Sequence, residues 1–242
     1  MTSATRVALV TGGARRVGAA IVRALSEHGC RVIIHAAHSV EEAERLADGL
    51  RAGGSEARVL RSDLRGREAP AELVREAVAE FGRLDVVVNS AANFLHAPLE
   101  AISPTLWDEA FALNVRAPFF IAQEAARHLP DGGAIINIAD HLAFETMPSM
   151  AAHGAAKAAL VHVTRTLARA LAPRIRVNAV APGLVAVPES WSGGELARFV
   201  RDVPLGRAGA DGDVAAAVRW LVDAPYVTGI VLPVDGGRGL MV

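Results

Sequence analysis

RVALVTGGARRVG, residues 6–18, decides the fold. Its first half is a short β-branched apolar run, 6–11, of the kind that forms a strand. The run breaks at Gly12 and Gly13, and an amphipathic helical pattern follows at once, near 16–28. Glycines at the break let the chain turn tightly, and Gly18 lets the helix pack close to the strand. The free N–H groups at the start of such a helix form a site for a phosphate. A glycine cluster alone is weak, and a turn that merely uses glycine is the plain alternative. Here a strand precedes it and a helix follows, which favours dinucleotide binding.

Outward from this unit the same alternation runs to the end of the chain. Strand candidates are 6–11, 30–35, 56–61, 84–89, 133–138, 175–180 and 229–234, with helical patterns near 16–28, 40–52, 68–81, 104–129, 150–171 and 212–223. Strands that alternate with helices predict parallel pairing through right-handed crossovers. The strand runs are apolar throughout, as expected when helices cover both sheet faces. The expectation is therefore α/β: a doubly wound, Rossmann-like three-layer fold with a seven-stranded parallel sheet, and one domain over 1–242. The exception is 183–204, GLVAVPESWSGGELARFVRDVP, an irregular Gly- and Pro-bearing stretch read as a lid.

Bulk properties narrow the function classes. The chain has 242 residues, 52% hydrophobic and 21% charged, a globular composition with ample core. A formal net charge of −1 gives no electrostatic case for nucleic acid or an anionic membrane surface. No apolar window approaches a membrane span, and the apolar run in MTSATRVALVTGG is too short for a signal peptide. The single cysteine, Cys30, excludes an internal disulfide and reads as a buried small hydrophobe. A reducing, cytoplasmic setting is expected. Nothing has metal-ligand spacing, so no metal is assigned.

In open sheets of this class ligands bind beyond the carboxyl ends of the strands. After the first strand stand Arg15 and Arg16. The second ends in HAAHS, where an acid would hold a ribose 2′-hydroxyl; Ala36 and Ala37 stand there instead, followed by His38 and Ser39. Two arginines, a histidine and a hydroxyl suit a 2′-phosphate, so NADP(H) is expected over NAD. Solvated arginines are the plain alternative. Asp63 follows the third strand and Asn89 closes the fourth; either also suits a turn or cap. Asp140 and His141 follow the fifth. In HGAAKAAL, 153–160, His153 and Lys157 lie one helical turn apart on one face. His96 and His141 read as surface residues at the pocket mouth.

TGGARRVG, Asp63-Leu64, Asn89-Ser90-Ala91-Ala92, Asn114 in LNVRAPFF, HGAAK, VNAVAPG and VTGIVLPVDGG, in this order, resemble the short-chain dehydrogenases/reductases over essentially the full length. The details look most like pteridine and dihydromonapterin reductases: Arg16 replaces the middle glycine of the loop, and Phe94 follows the Asn-Ala motif. Asp140 replaces the usual catalytic serine at the family spacing before His153, and the ending DGGRGL fits the same branch. This chain departs from the family in having His153 for its tyrosine, Ser90 for a second asparagine, Ala92 for a serine and His38 for an arginine. The resemblance implies NADP(H), held by Gly12, Arg15, Arg16, Val17, Gly18, His38, Ser39, Asp63, Leu64, Asn89, Ala91, Lys157, Pro182 and Gly183. It implies a catalytic set of Asp140, His153, Lys157 and Asn114, with Lys157 on the nicotinamide ribose and Asn114 on a relay water. Substrate contacts fall to Arg16, Phe94, Asp140 and His153, with Phe94 stacking a pterin.

A carbonyl oxygen needs a well-placed acid as charge develops during hydride transfer. For His153, the charge on Lys157 disfavours imidazolium and Asp140 favours it. An imine nitrogen such as N5 of a dihydropterin is more basic and needs less help. Three readings stand: an NADPH-dependent reductase of a pterin or dihydrofolate-like C=N bond, an NADPH-dependent carbonyl or cyclic imine reductase, and a catalytically impaired NADP(H)-binding protein. The helix 150–171 carries small apolar residues round most of its circumference, which predicts burial on two sides. With the family resemblance this implies a homotetramer.

Overall fold

A computed structural model of the chain describes residues 5–185, 187 and 192–241. Seven strands form one sheet: β1 (Val7–Thr11), β2 (Arg31–Ala36), β3 (Ala57–Arg61), β4 (Val86–Asn89), β5 (Gly133–Ile138), β6 (Ile175–Pro182) and β7 (Val231–Val234). All pairs are parallel, in the order β3-β2-β1-β4-β5-β6-β7. The order reverses between β1 and β4, so a crevice opens there at the carboxyl edge.

Eight α-helices are described: α1 (Arg16–Glu27), α2 (Val40–Ala52), α3 (Ala69–Phe81), α4 (Pro104–Phe111), α5 (Ala117–Ala125), α6 (Ala151–Leu171), α7 (Gly193–Val200) and α8 (Asp211–Asp223). The apolar strands serve two cores at once, because successive side chains point to opposite faces. From β1, Ala8 and Val10 pack with Ile21 and Leu25 of α1 and Val218 and Leu221 of α8. Val7 and Leu9 pack on the other face with Leu73 of α3, Ile121 of α5 and Leu167 of α6. The result is the expected three-layer doubly wound fold. Cys30 is buried, as its apolar surroundings suggested. No helix among the described residues is long and apolar enough to cross a membrane.

Two expectations change. The pattern at 104–129 is not one helix: α4 and α5 are separated by a π-helical turn, Ala112–Arg116, in which the Ala117 N–H bonds to the Ala112 carbonyl. Pro118 explains the break, since it lacks the N–H that the Asn114 carbonyl would need and its ring crowds that carbonyl. The stretch 183–204 is not irregular throughout, because it contains α7. Residues 186 and 188–191 of that stretch lie outside the described residues.

Candidate active site

The glycine loop is fixed from beneath. Thr11 Oγ1 accepts hydrogen bonds from the Ser90 and Ala91 N–H groups at 3.0 Å each, joining the ends of β1 and β4. Gly12 has φ +63°, and a Cβ there would lie 2.8 Å from Ala91 Cα. A Cβ on Gly18 would run into the Gly12 carbonyl. His35, buried in β2, accepts the Gly12 N–H at Nδ1 (3.2 Å) and donates from Nε2 to the Ser62 carbonyl (2.9 Å). Burial lowers its pKa below the ordinary value, which favours the neutral ring that both contacts require.

α1 then starts with no capping side chain and no acid in its first turn. Its N–H groups and positive dipole end face the crevice, flanked by exposed Arg15 and Arg16. Val17 lies in that first turn, with Arg16 at φ +50°. His38 is exposed and Ser39 makes no capping bond to α2. Asp63 is held below the usual carboxylate range, to about 2, chiefly by the hydrogen bonds from Arg65. Leu64 is buried in the core beneath it. Gly183, after Pro182, has its N–H on the Val234 carbonyl, and a Cβ there would lie 2.8 Å from Asp235 Cα. An uncapped helix start between cationic side chains, on a loop too tight for a Cβ, fits a dinucleotide pyrophosphate.

Asn89 does structural work. Its Nδ2 donates to Asn137 Oδ1 (2.9 Å), Asn137 donates to Thr164 Oγ1 (2.9 Å), and that hydroxyl donates to the Leu160 carbonyl (2.8 Å). The chain of bonds ties β4 and β5 to α6.

Beyond β5 the structure brings Asp140, His153 and Lys157 together. His153 is buried, with Nε2 3.4 Å from Asp140 Oδ2 and Nδ1 3.1 Å from the Asn93 carbonyl. Phe94 is not core: it is 67% exposed, and its ring stands edge-on to His153 with centroids 4.9 Å apart. One turn on, Lys157 Nζ donates to the Ile138 carbonyl at 2.7 Å. Asn114 donates from Nδ2 to Asn93 Oδ1 (2.6 Å) and the Ala110 carbonyl (3.0 Å), and its buried Oδ1 has no partner among the described residues. Asn93 thus links Asn114 to His153.

The charges are tightly set. Burial favours the neutral form of Asp140, but hydrogen bonds from His141, His153 and the Leu142 N–H prevail and hold its carboxyl well below the usual range. Burial lowers Lys157 to about 8, against the pull of Asp140. His141, expected at the surface, is tucked in: Nδ1 lies 3.0 Å from Asp140 Oδ1. Burial pushes its pKa down, but Asp140 and Glu145 outweigh that and raise it. His96 is exposed, as expected.

Residues 12–238 match the family model described as Enoyl-(Acyl carrier protein) reductase. A short-chain dehydrogenase/reductase from Serratia marcescens is 37% identical, covering 97% of this chain and 98% of its own, with a TM-score of 0.92. The chain belongs to the short-chain dehydrogenase/reductase family. Within this family the chain is similar to FolM Alternative dihydrofolate reductase 1 from Brucella canis, solved with NADP. That protein is 37% identical over 98% of this chain and 95% of its own, with a TM-score of 0.92. It is also similar to 3-oxoacyl-[acyl-carrier-protein] reductase FabG of Staphylococcus aureus, 32% identical over 96% of this chain and 98% of the relative.

The chain has one tyrosine, Tyr226, which is fully exposed beyond α8. Two residues at the site escaped the sequence reading, His35 and Asn93, and His141 was read as a surface residue. A histidine inside an apolar strand, His35, was the one available signal. Asn93 meets His153 through its backbone carbonyl, a contact that leaves no mark in side-chain type.

Proposed function

We propose that the protein is an NADPH-dependent reductase of the pteridine reductase type, reducing a C=N bond of a pterin or dihydrofolate-like substrate. The observation that carries this reading is the exposed ring of Phe94 set edge-on to a buried His153–Asp140 pair. A flat aromatic substrate can lie on Phe94 with its reacting edge at the acid, and such a platform contributes on the order of 1 kcal/mol beyond area burial.

Both ring nitrogens of His153 face acceptors, the Asn93 carbonyl and the Asp140 carboxylate. In the proposed acid form the ring carries a hydrogen on each nitrogen and donates to both. When bound, NADPH supplies a hydride, with its electron pair, to the imine carbon. His153 gives a proton to the imine nitrogen, so the C=N double bond becomes C–N and N–H and the imidazole is left neutral. Asp140 holds the cationic ring beforehand. Lys157, buried and cationic below about 8, orients the nicotinamide ribose. Asn114, through Asn93, holds the donor's ring in place and supports the relay of a new proton.

The cofactor is NADP(H). Arg15, Arg16, His38 and Ser39 take its 2′-phosphate, and Gly12, Val17, Gly18 and the helix start take the pyrophosphate. Asp63 and Leu64 take the adenine, Ala91 and Asn89 border the ribose side, and Pro182 and Gly183 border the nicotinamide. The FolM neighbour, solved with NADP, supports this. We also assign Arg16 to the substrate side of the site. We read residues 1–242 as one cofactor-binding domain working in the cytoplasm as a homotetramer.

NADPH oxidation with dihydrobiopterin, dihydromonapterin and dihydrofolate, beside a ketone panel, tests the assignment. Turnover of a dihydropterin above the ketones is expected, and Phe94→Ala should raise the pterin KM while leaving NADPH affinity within about twofold. The FabG relative favours a second reading, carbonyl reduction; ketone turnover with inert dihydropterins would establish it.

A further inference from the structure

Asp140 has two carboxylate oxygens and more than two donors around them. Oδ1 accepts the Leu142 N–H at 2.9 Å and faces His141 Nδ1 at 3.0 Å, which leaves Oδ2 for His153. A carboxylate torsion is broad and roughly two-fold, so its partners decide where it points. The Leu142 contact is local to the same short turn. The second contact comes from a ring that is itself held. His141 Nδ1 also faces the Pro182 carbonyl at 3.3 Å, an acceptor like Asp140, so Nδ1 carries a hydrogen. On the far side, His141 Nε2 lies 3.6 Å from Glu145 Oε2. Glu145 accepts Arg238 Nε at 2.9 Å and Nη2 at 2.7 Å, and the guanidinium lies 4.1 Å over the ring of Phe199 in α7.

We propose that His141 is a positioning residue for the reaction, holding Asp140 in the orientation that turns Oδ2 to His153. Glu145, itself fixed by Arg238, lies within ion-pair distance of His141 Nε2, which makes no hydrogen bond among the described residues, so the contacts run from the acid pair to α7 and the C-terminal turn. The inference rests on the reading of Asp140 and His153 as the acid pair. Removing the His141 ring frees Oδ1 and lets the carboxylate swing from His153. The charged groups facing His141 are Asp140 and Glu145 on its own turn and Arg238 from the C-terminal turn, with Asp202 and Asp235 behind that arginine. From α6, His153 and Lys157 face it across Asp140.

Wild type, His141→Phe and His141→Asn form the test, because asparagine keeps an uncharged N–H donor about where Nδ1 stands. Two readouts apply: steady-state kinetics, and carbon-13 titration of the Asp140 carboxyl with labelled aspartate. In His141→Phe, kcat should fall roughly tenfold to a hundredfold, with the KM for NADPH nearly unchanged. Its Asp140 carboxyl should titrate nearer the ordinary range, about 4. His141→Asn should recover most of kcat and keep the carboxyl low. Should the phenylalanine variant fail to fold, His141→Gln serves instead, since its longer side chain carries the amide past Oδ1. An Asp140 titration identical in all variants, or a raised KM with kcat intact, would overturn the proposal. If wild type turns over no substrate, the reductase reading fails, and the carboxyl titration still decides the role of His141.

Discussion

His35 shows how one side chain can set a binding loop. It receives the Gly12 N–H on one ring nitrogen and donates from the other to the Ser62 carbonyl, so neither group is left unpaired where β2 meets the crevice. His35→Ala strands both groups and should cost about 1–3 kcal/mol, read as a lower Tm, with weaker NADPH binding. The sign with pH follows from its lowered pKa. The unfolded chain takes up a proton at 6.5 while the folded ring resists it. This contribution is therefore complete above 6.5 and is lost as pH falls toward the folded value. The wild-type Tm should decline over that window more steeply than that of His35→Ala, and parallel declines would contradict it. Residue type and spacing made Asp140, His153 and Lys157 legible in the sequence, because a helical turn puts two side chains on one face. His141 was misread as a surface residue because the Pro182 carbonyl that its ring meets lies 41 residues further along. No local pattern reports such a contact.

Among the elements, the first strand–loop–helix unit was plain in the sequence, since strand, glycines and helix follow without a spacer. Its tolerance is small: a Cβ on Gly18 meets the Gly12 carbonyl, which is backbone and cannot swing aside. Gly18→Ala should cost about 1–3 kcal/mol of stability through overpacking. It should also weaken NADPH binding by shifting the start of α1, as read by fluorescence titration; unchanged affinity would contradict the close packing. The π-helical turn was less legible. An apolar pattern at 104–129 fits one helix, and only Pro118 marks the break. That break places Asn114 where its Nδ2 reaches both Asn93 and Ala110. The irregular reading of 183–204 missed α7 because eight residues opening on two glycines carry little helical signal.

At the scale of the whole molecule, the seven-stranded sheet was legible because most of its strands read as unbroken apolar runs, the pattern of a parallel sheet covered on both faces. Surfaces between copies leave a weaker trace. A groove on α4, α5 and α6 is lined by Phe111, Val115, Phe119 and Val163, with Trp107 and Phe120 exposed beside it. This face suits a second copy in the proposed homotetramer. Sedimentation should give four chains for wild type and a smaller species for Val163→Glu; monomeric wild type would contradict the assembly. The central claim is that His153, paired with Asp140, delivers the proton to a C=N bond. The most direct measurement is the pH dependence of kcat for NADPH oxidation with dihydrobiopterin, in wild type and His153→Phe. The account predicts that, below about 8 where Lys157 stays cationic, wild-type kcat falls as pH rises and the acid is lost. It predicts that His153→Phe loses both that decline and most of the activity. Equal turnover and an unchanged profile in His153→Phe would contradict it.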